Sequence, residues 1–164
     1  MTQHEQMAGQ GDAGQGEAQV AGYALRLDRD YHTPTHMWVQ DIGAGRFRIG
    51  LDALTADTYG VLAQLILLPR GTEVVTGTPL GSLEAAKFVG PLVAPLAGMV
   101  TNTNQAVLHN PEIVMNQPYD GGWLMEIEAS SEERPLPDTL SGSAALAWFE
   151  QAVADHKEKG LVAE

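Results

Sequence analysis

No cysteine occurs among the 164 residues. Disulfides, thiolate metal sites and cysteine nucleophiles are therefore excluded together. Positive charge is scarce, with 9 lysines and arginines against 21 aspartates and glutamates and a formal net charge of −12. A sequence-independent hold on DNA or RNA needs a basic surface that releases counterions, and docking to anionic membranes needs one too. The acid balance favours solubility and partners with basic docking faces. No apolar run approaches the roughly 20 residues that cross a bilayer. No basic region followed by an apolar stretch opens the sequence, and no arginine or lysine precedes Arg26. Neither a secretory leader nor a mitochondrial transit peptide is expected, and a cytoplasmic location is. Aromatics make up only 6% of the chain. Trp38, Trp123 and Trp148 read as core residues rather than a ligand box.

The residues that are present suit one domain with tails, long enough to bury a real core. Residues 1–21 are Gly, Gln, Ala and acidic residues, too poor in large apolar groups to offset their ordering entropy, and are expected to be a disordered tail. The folded domain proper is expected over residues 22–130. Residues 131–164 should be a linker and a C-terminal helix packed on it. Residues 23–29 alternate apolar and polar, the pattern of a strand with one buried face. Residues 36–40 and 46–50 flank Asp41-Ile42-Gly43-Ala44-Gly45, whose glycines suit a hairpin. Thr55 or Asp57 can cap a short helical turn. Residues 61–68 form an apolar run between Gly60 and Pro69, of a length that favours a buried strand. Short strands are then expected at 80–83, 87–93 and 99–102, with Glu84-Ala85-Ala86 as the bend between the first two. Asn110-Pro111 opens one helical turn, and residues 123–128 close the sheet. Ser143 caps a helix whose Leu146, Phe149, Ala152 and Val153 recur at helical spacing, with Gly160 ending it. The dense Gly/Pro corners between short strands predict a mainly β flattened barrel or sandwich, with short helices and a C-terminal helix.

One lysine stands apart. The chain holds only three, and Lys157 and Lys159 lie near its end. Lys87 is the sole lysine in the body of the domain, at a tight turn between two apolar strands. A turn fixes the backbone while the four-carbon stem stays mobile, which suits an amine presented for acylation. A solvated turn lysine is the ordinary fate of such a residue, so its neighbours have to decide. Acylation would make it the anchor of a swinging cofactor, and the protein would then need no catalytic acid, base or metal of its own.

Four stretches carry a resemblance. His36-Met37-Trp38-Val39 precedes a hairpin and Gly50. Gly71-x-Glu73-Val74-x-x-Gly77-x-Pro79-Leu80-Gly81 approaches the turn. Glu84-Ala85-Ala86-Lys87 is followed by Ala94-Pro95-Leu96-Ala97-Gly98-x-Val100. Asn110-Pro111-Glu112-Ile113-Val114 and Pro118-Tyr119-x-x-Gly122-Trp123-Leu124 come last. In this order and spacing, over roughly residues 23–128, they resemble the H protein of the glycine cleavage system. The resemblance implies a barrel-sandwich hybrid of the biotinyl/lipoyl-carrier type and a carrier rather than an enzyme. It implies covalent lipoate on Lys87, with Glu84 positioning the turn for the ligase. Biotin carriers place methionine on both sides of the lysine, where this chain has Ala86 and Phe88.

The implied partners are a lipoate ligase or octanoyltransferase, dihydrolipoamide dehydrogenase and the glycine cleavage enzymes. The family's arm cleft, with acidic groups and a histidine, falls on Met37, Thr58, Val61 and Pro91, all less polar or smaller here. A cationic aminomethyl load in such a cleft would lack a countercharge. A related lipoate-binding carrier of cytoplasmic sulfur oxidation, serving heterodisulfide-reductase-like enzymes, is the alternative. A non-lipoylated binding module is the second.

Other constellations are weaker. His32 and His36 have i,i+4 spacing, but Pro34 between them argues against a helical metal site, and no metal is expected. Ser82, Asp52 and His109 could be drawn as a triad, yet no Gly-x-Ser-x-Gly elbow exists.

Overall fold

The structure is a computed structural model and describes residues 16–163. The expected tail reaches only partly beyond them. Glu17–Val20 form strand β1, hydrogen-bonded in a hairpin to β2 (Tyr23–Arg26). The rest of that expectation, residues 1–15, lies outside the described residues. The single strand expected over 23–29 is broken by a turn at Leu27 and Asp28, and β3 is Asp30–His32. Arg29 explains the break. Instead of facing solvent it is 6% exposed. Its guanidinium pairs with Asp28 at 2.8 Å, donates to the Tyr119 carbonyl at 2.9 Å and lies 4.6 Å from the Trp38 ring.

The first long hairpin forms where the glycines indicated. Strands β4 (Met37–Gly43) and β5 (Arg46–Leu51) are joined through Gly43, Ala44 and Gly45, all at positive φ. Helix α1 (Ala53–Tyr59) follows, capped by Asp52, whose carboxylate accepts from the Thr55 N–H, rather than by Thr55 or Asp57. Strand β6 (Leu62–Leu67) is not buried throughout. Leu62, Leu65 and Leu67 face inward, while Ile66 is 54% exposed. After β7 (Glu73–Val74) come β8 (Pro79–Ala85), β9 (Phe88–Val93) and β10 (Gly98–Thr103).

Two short helices, α2 (Gln105–His109) and α3 (Glu112–Asn116), precede β11 (Met125–Ala129). The first was not anticipated. Asn104 caps it, and the same side-chain amide donates to the carbonyls of Gly121 and Trp123. Pro111, not Asn110, occupies the cap position of α3. The presumed linker contributes β12 (Thr139–Leu140), paired with β3. Helix α4 (Gly142–Glu158) follows, with Ser141 rather than Ser143 at its cap position.

Among the described residues the strands make three sheets. One has seven strands in the order β12-β3-β4-β5-β11-β10-β7, one has three in the order β6-β8-β9, and β1-β2 stand as a pair. The three-stranded sheet faces the larger one across a core that includes Met37, Val39, Ile49, Leu65, Leu83 and Ile127. A second core lies on the other side of β4, where Trp38 joins Leu25, Tyr31, Leu54, Phe149 and Val153 of α4. Met37, Trp38 and Val39 are consecutive and all buried. A strand shows such a run only when both of its faces are covered. Each fully buried large apolar side chain contributes about 1.5–3 kcal/mol over exposure, so β4 ties the sandwich to the C-terminal helix. The indole of Trp38 donates to the Pro118 carbonyl at 3.0 Å and lies flat over Gly50 of the paired strand. This is the mainly β architecture with short helices and a terminal helix that the corner spacing predicts.

Candidate functional site

The β8–β9 hairpin reverses one residue later than expected. Ala85 still pairs with Phe88, so the turn consists of Ala86 and Lys87 alone. The expected bend at Glu84-Ala85-Ala86 is mostly strand. Lys87 is exposed, and among the described residues it enters no ion pair.

The turn is held from one side by the segment leaving α1. The Ala86 N–H donates to the Val61 carbonyl and the Lys87 N–H to the Tyr59 carbonyl, each at 2.9 Å. Gly60 between them has φ 82 and ψ −159, a region that essentially only glycine occupies. That conformation lets the Tyr59 and Val61 carbonyls both reach the hairpin. The missing Cβ leaves room for the lysine stem, since a Cβ there would stand 3.2 Å from Lys87 Cε. The Tyr59 ring stacks on Phe88 with centroids 4.3 Å apart and planes 11° from parallel. The backbone of Lys87 is thus fixed and its side chain free.

The start of α1 is anchored as firmly. Asp52 is fully buried, capping the helix with one oxygen and meeting His36 Nδ1 at 2.9 Å with the other. Tyr119 Oη accepts from the Ala53 N–H and donates to the Ala24 carbonyl. Burial pushes that phenol well above the ordinary tyrosine range. It therefore stays neutral and able to donate.

A cleft of about 430 Å³ opens beside the same hairpin. Its walls include Met37, Leu51, Tyr59 and Pro91, and His32 and Asp138 also border it. Pro91 lies four residues along the chain from Lys87, about 13 Å at the rise of a strand. Of the four residues expected around an arm, the structure brings Met37 and Pro91 together here. Thr58 and Val61 are not among its walls. Thr58 Oγ1 is turned back onto the Leu54 carbonyl at 2.7 Å, a bond within α1. Val61 is 68% exposed beside the lysine turn. Glu84 is exposed on β8, where it pairs with Val89, and it borders a shallow outer groove with Gln64 and Ile66.

The cleft's chemistry is mild. His32 is 3% exposed, with Nδ1 bonded to Thr35 Oγ1 at 2.8 Å. Burial pushes its imidazole below the ordinary histidine range, only partly opposed by the nearby Asp138 charge. Burial, helped by Asp52, raises the Tyr59 phenol. Tyr59 and Asp138 were not singled out by sequence reasoning, and His32 was weighed only as a metal ligand. No motif marks them, because they come from β3, the end of α1 and the approach to β12. The imagined triad of Ser82, Asp52 and His109 does not assemble. Asp52 is spent on α1 and His36, and His109 Nδ1 meets the Gln105 carbonyl. Among the described residues no three His, Asp or Glu side chains gather in a way that could hold a metal. An exposed amine on a rigid turn above an apolar cleft can be acylated and can shelter the far end of what it carries.

Comparison with known proteins bears on this geometry. The family model described as Glycine cleavage H-protein matches residues 29–147. A glycine cleavage system H protein of Micrococcus luteus is 35% identical over 102 residues, covering 62% of this chain and 80% of that protein. One from Synechococcus sp. (strain JA-3-3Ab) is 38% identical over 102 residues, covering 62% and 78%. Glycine cleavage system H protein 4 of Aquifex aeolicus is 28% identical over 140 residues, covering 85% and 80%. Among solved structures, a glycine cleavage system H protein from Mycobacterium marinum superposes with a TM-score of 0.67 at 25% identity, covering 79% of this chain and 99% of that one.

Proposed function

The chain belongs to the glycine cleavage H-protein family, and from that premise we propose that Lys87 is its lipoylated residue and that the chain acts as a mobile carrier between partner enzymes. The family's cofactor is a lipoate held covalently on a lysine. The residues present fit it. The hairpin tip offers one exposed amine on a backbone tied at Tyr59 and Val61, and the adjoining cleft has room and apolar walls for the end of an arm. The group supplies a long tether with a disulfide that can accept and release a load.

The chain's own residues do the rest. The turn presents Lys87 Nζ clear of the sheet to a ligase or octanoyltransferase, with Glu84 on the same strand as a positioning carboxylate. Phe88 and Tyr59 stiffen the base of the stem. Met37, Leu51 and Pro91 exclude water from the arm's far end. Dihydrolipoamide dehydrogenase and the glycine cleavage enzymes would be the partners in the cytoplasm. The position of Lys87 at an exposed, braced turn carries this reading.

The apolar Met37 and Pro91 in the cleft favour a second reading, in which the load is sulfur from heterodisulfide-reductase-like enzymes rather than an aminomethyl group. Both readings share the first test. Expression with lipoate and a lipoate ligase should give one lipoyl adduct by intact mass, absent in Lys87→Arg. A wild-type chain that stays unmodified with several ligases would leave a non-lipoylated binding module instead.

A further inference from the structure

The cleft beside the hairpin carries a charge that its apolar walls conceal. Three titratable side chains border it: His32, Tyr59 and Asp138. The first two are neutral near pH 7, since burial pushes the imidazole down and the phenol up. Asp138 is exposed, and no hydrogen bond or ion pair to its carboxylate occurs among the described residues. Its backbone is pinned. The Asp138 carbonyl accepts from the Thr33 N–H at 3.1 Å, and the residue sits at φ 60, a left-handed conformation that aspartate and asparagine tolerate better than most residues. Asp138 borders this cleft and a second groove beside it, its charge acts on the His32 imidazole, and no lysine or arginine lines the cleft to neutralise it.

We propose that Asp138 is a specificity-determining residue of this cleft, which accepts a cationic or neutral load at the end of the arm and rejects an anionic one. The inference rests on the carrier reading and deepens it. Met37 and Pro91 remove charge from the walls near β9, while Asp138 restores one from a segment some hundred residues along the chain from Met37. A protonated amine gains a countercharge there. A persulfide or carboxylate end meets a like charge and no cation.

The test uses free probes, so it does not depend on acylation of Lys87. Dihydrolipoamide carrying S-(2-aminoethyl), S-carbamoylmethyl or S-carboxymethyl groups supplies a cationic, a neutral and an anionic end. Each is titrated against the full chain, and binding is read from the Met37 methyl and His32 ring resonances. The amine should bind about two- to fivefold more tightly than the neutral probe, the range an exposed ion pair gives. The carboxymethyl probe should bind more weakly than the neutral one. Asp138→Asn keeps the backbone conformation and removes the charge, so it should bring all three affinities together. Equal binding of cation and anion to the wild type, an unchanged order in Asp138→Asn, or no binding of any probe would each overturn the proposal. Lys87→Arg should titrate like the wild type, so failure of the acylation test and failure here are separate results.

Discussion

Replacing Gly60 by alanine tests whether the lysine turn is braced from outside its own hairpin. Gly60 has φ 82 and ψ −159, and its N–H closes α1 on the Ala56 carbonyl. An alanine held there costs about 1–3 kcal/mol of backbone strain. The new methyl would stand 3.2 Å from Lys87 Cε and 3.4 Å from Ala86 Cβ. The lysine stem can swing away and the second distance is ordinary contact, so strain is the larger effect. For a chain of this size each kcal/mol lowers Tm by about 2–4 °C, giving a drop of roughly 2–12 °C. Relief of the strain means rotating the segment that offers the Tyr59 and Val61 carbonyls, which frees the N–H groups of Ala86 and Lys87. Ligase-catalysed acylation, followed by intact mass well below both melting points, should therefore slow. Gly71→Ala is the control. Gly71 also has a positive φ, of 91, but a Cβ there meets nothing within 4 Å. It should lose stability without changing the acylation rate. If Gly60→Ala melts like the wild type, or if Gly71→Ala slows acylation equally, the bracing argument is wrong.

Two further outcomes follow from the packing and the charges. Gly50→Ala would place a methyl 2.5 Å from the Trp38 ring, and overpacking of a filled core costs about 1–3 kcal/mol; urea unfolding should show a lower midpoint with an unchanged slope. His32 has a folded-state pKa below its unfolded value because burial disfavours the imidazolium, so the unfolded chain binds more protons as pH falls. Its contribution is complete above the ordinary histidine pKa and is lost as pH falls from there towards the folded value. Unfolding at pH 7.5 and 5.5 should therefore show a smaller acid loss in His32→Gln than in the wild type.

Much of the fold was legible because its signals are local. The glycines after Asp41 mark the β4–β5 hairpin, and helical spacing marks α4, with Phe149 and Val153 buried as the pattern requires. The failures have physical causes. Strand β1 is only four residues long with just Ala18 and Val20 apolar, and its pairing with β2 and the packing of those two on the second core order it. Residues 61–68 read as a nearly unbroken apolar run, but the three-stranded sheet has one face to solvent, so Ala63, Gln64 and Ile66 of β6 are exposed. Helix α2 has no apolar periodicity over its five residues and depends on the buried Asn104 amide. At the site, the lysine and its turn were visible because both are contiguous. The cleft was only half visible. Met37 and Pro91 sit on adjoining walls, whereas His32, Tyr59 and Asp138 meet them through sheet pairing and a helix end that no spacing rule encodes.

The separation of these parts in sequence has a consequence for how a carrier of this kind can diverge. Presentation of the lysine depends on a short local unit, β8–β9 together with the α1–β6 connection, whose hydrogen bonds are to backbone carbonyls and so tolerate many side chains. On the proposed reading, load selection depends on side chains from β3, β4, β9 and the approach to β12, and Tyr59 is the cleft residue that also bonds the turn, through its carbonyl. On this reading, substitution at Met37 is expected to change what the cleft accepts without disturbing acylation, because the β4 backbone is held independently by Trp38 in the second core. Reading the cleft from its β4 and β9 positions alone suggests an uncharged store. Adding Asp138 reverses that inference, and on our proposal the sign of the preferred load is set by a residue outside the lysine hairpin.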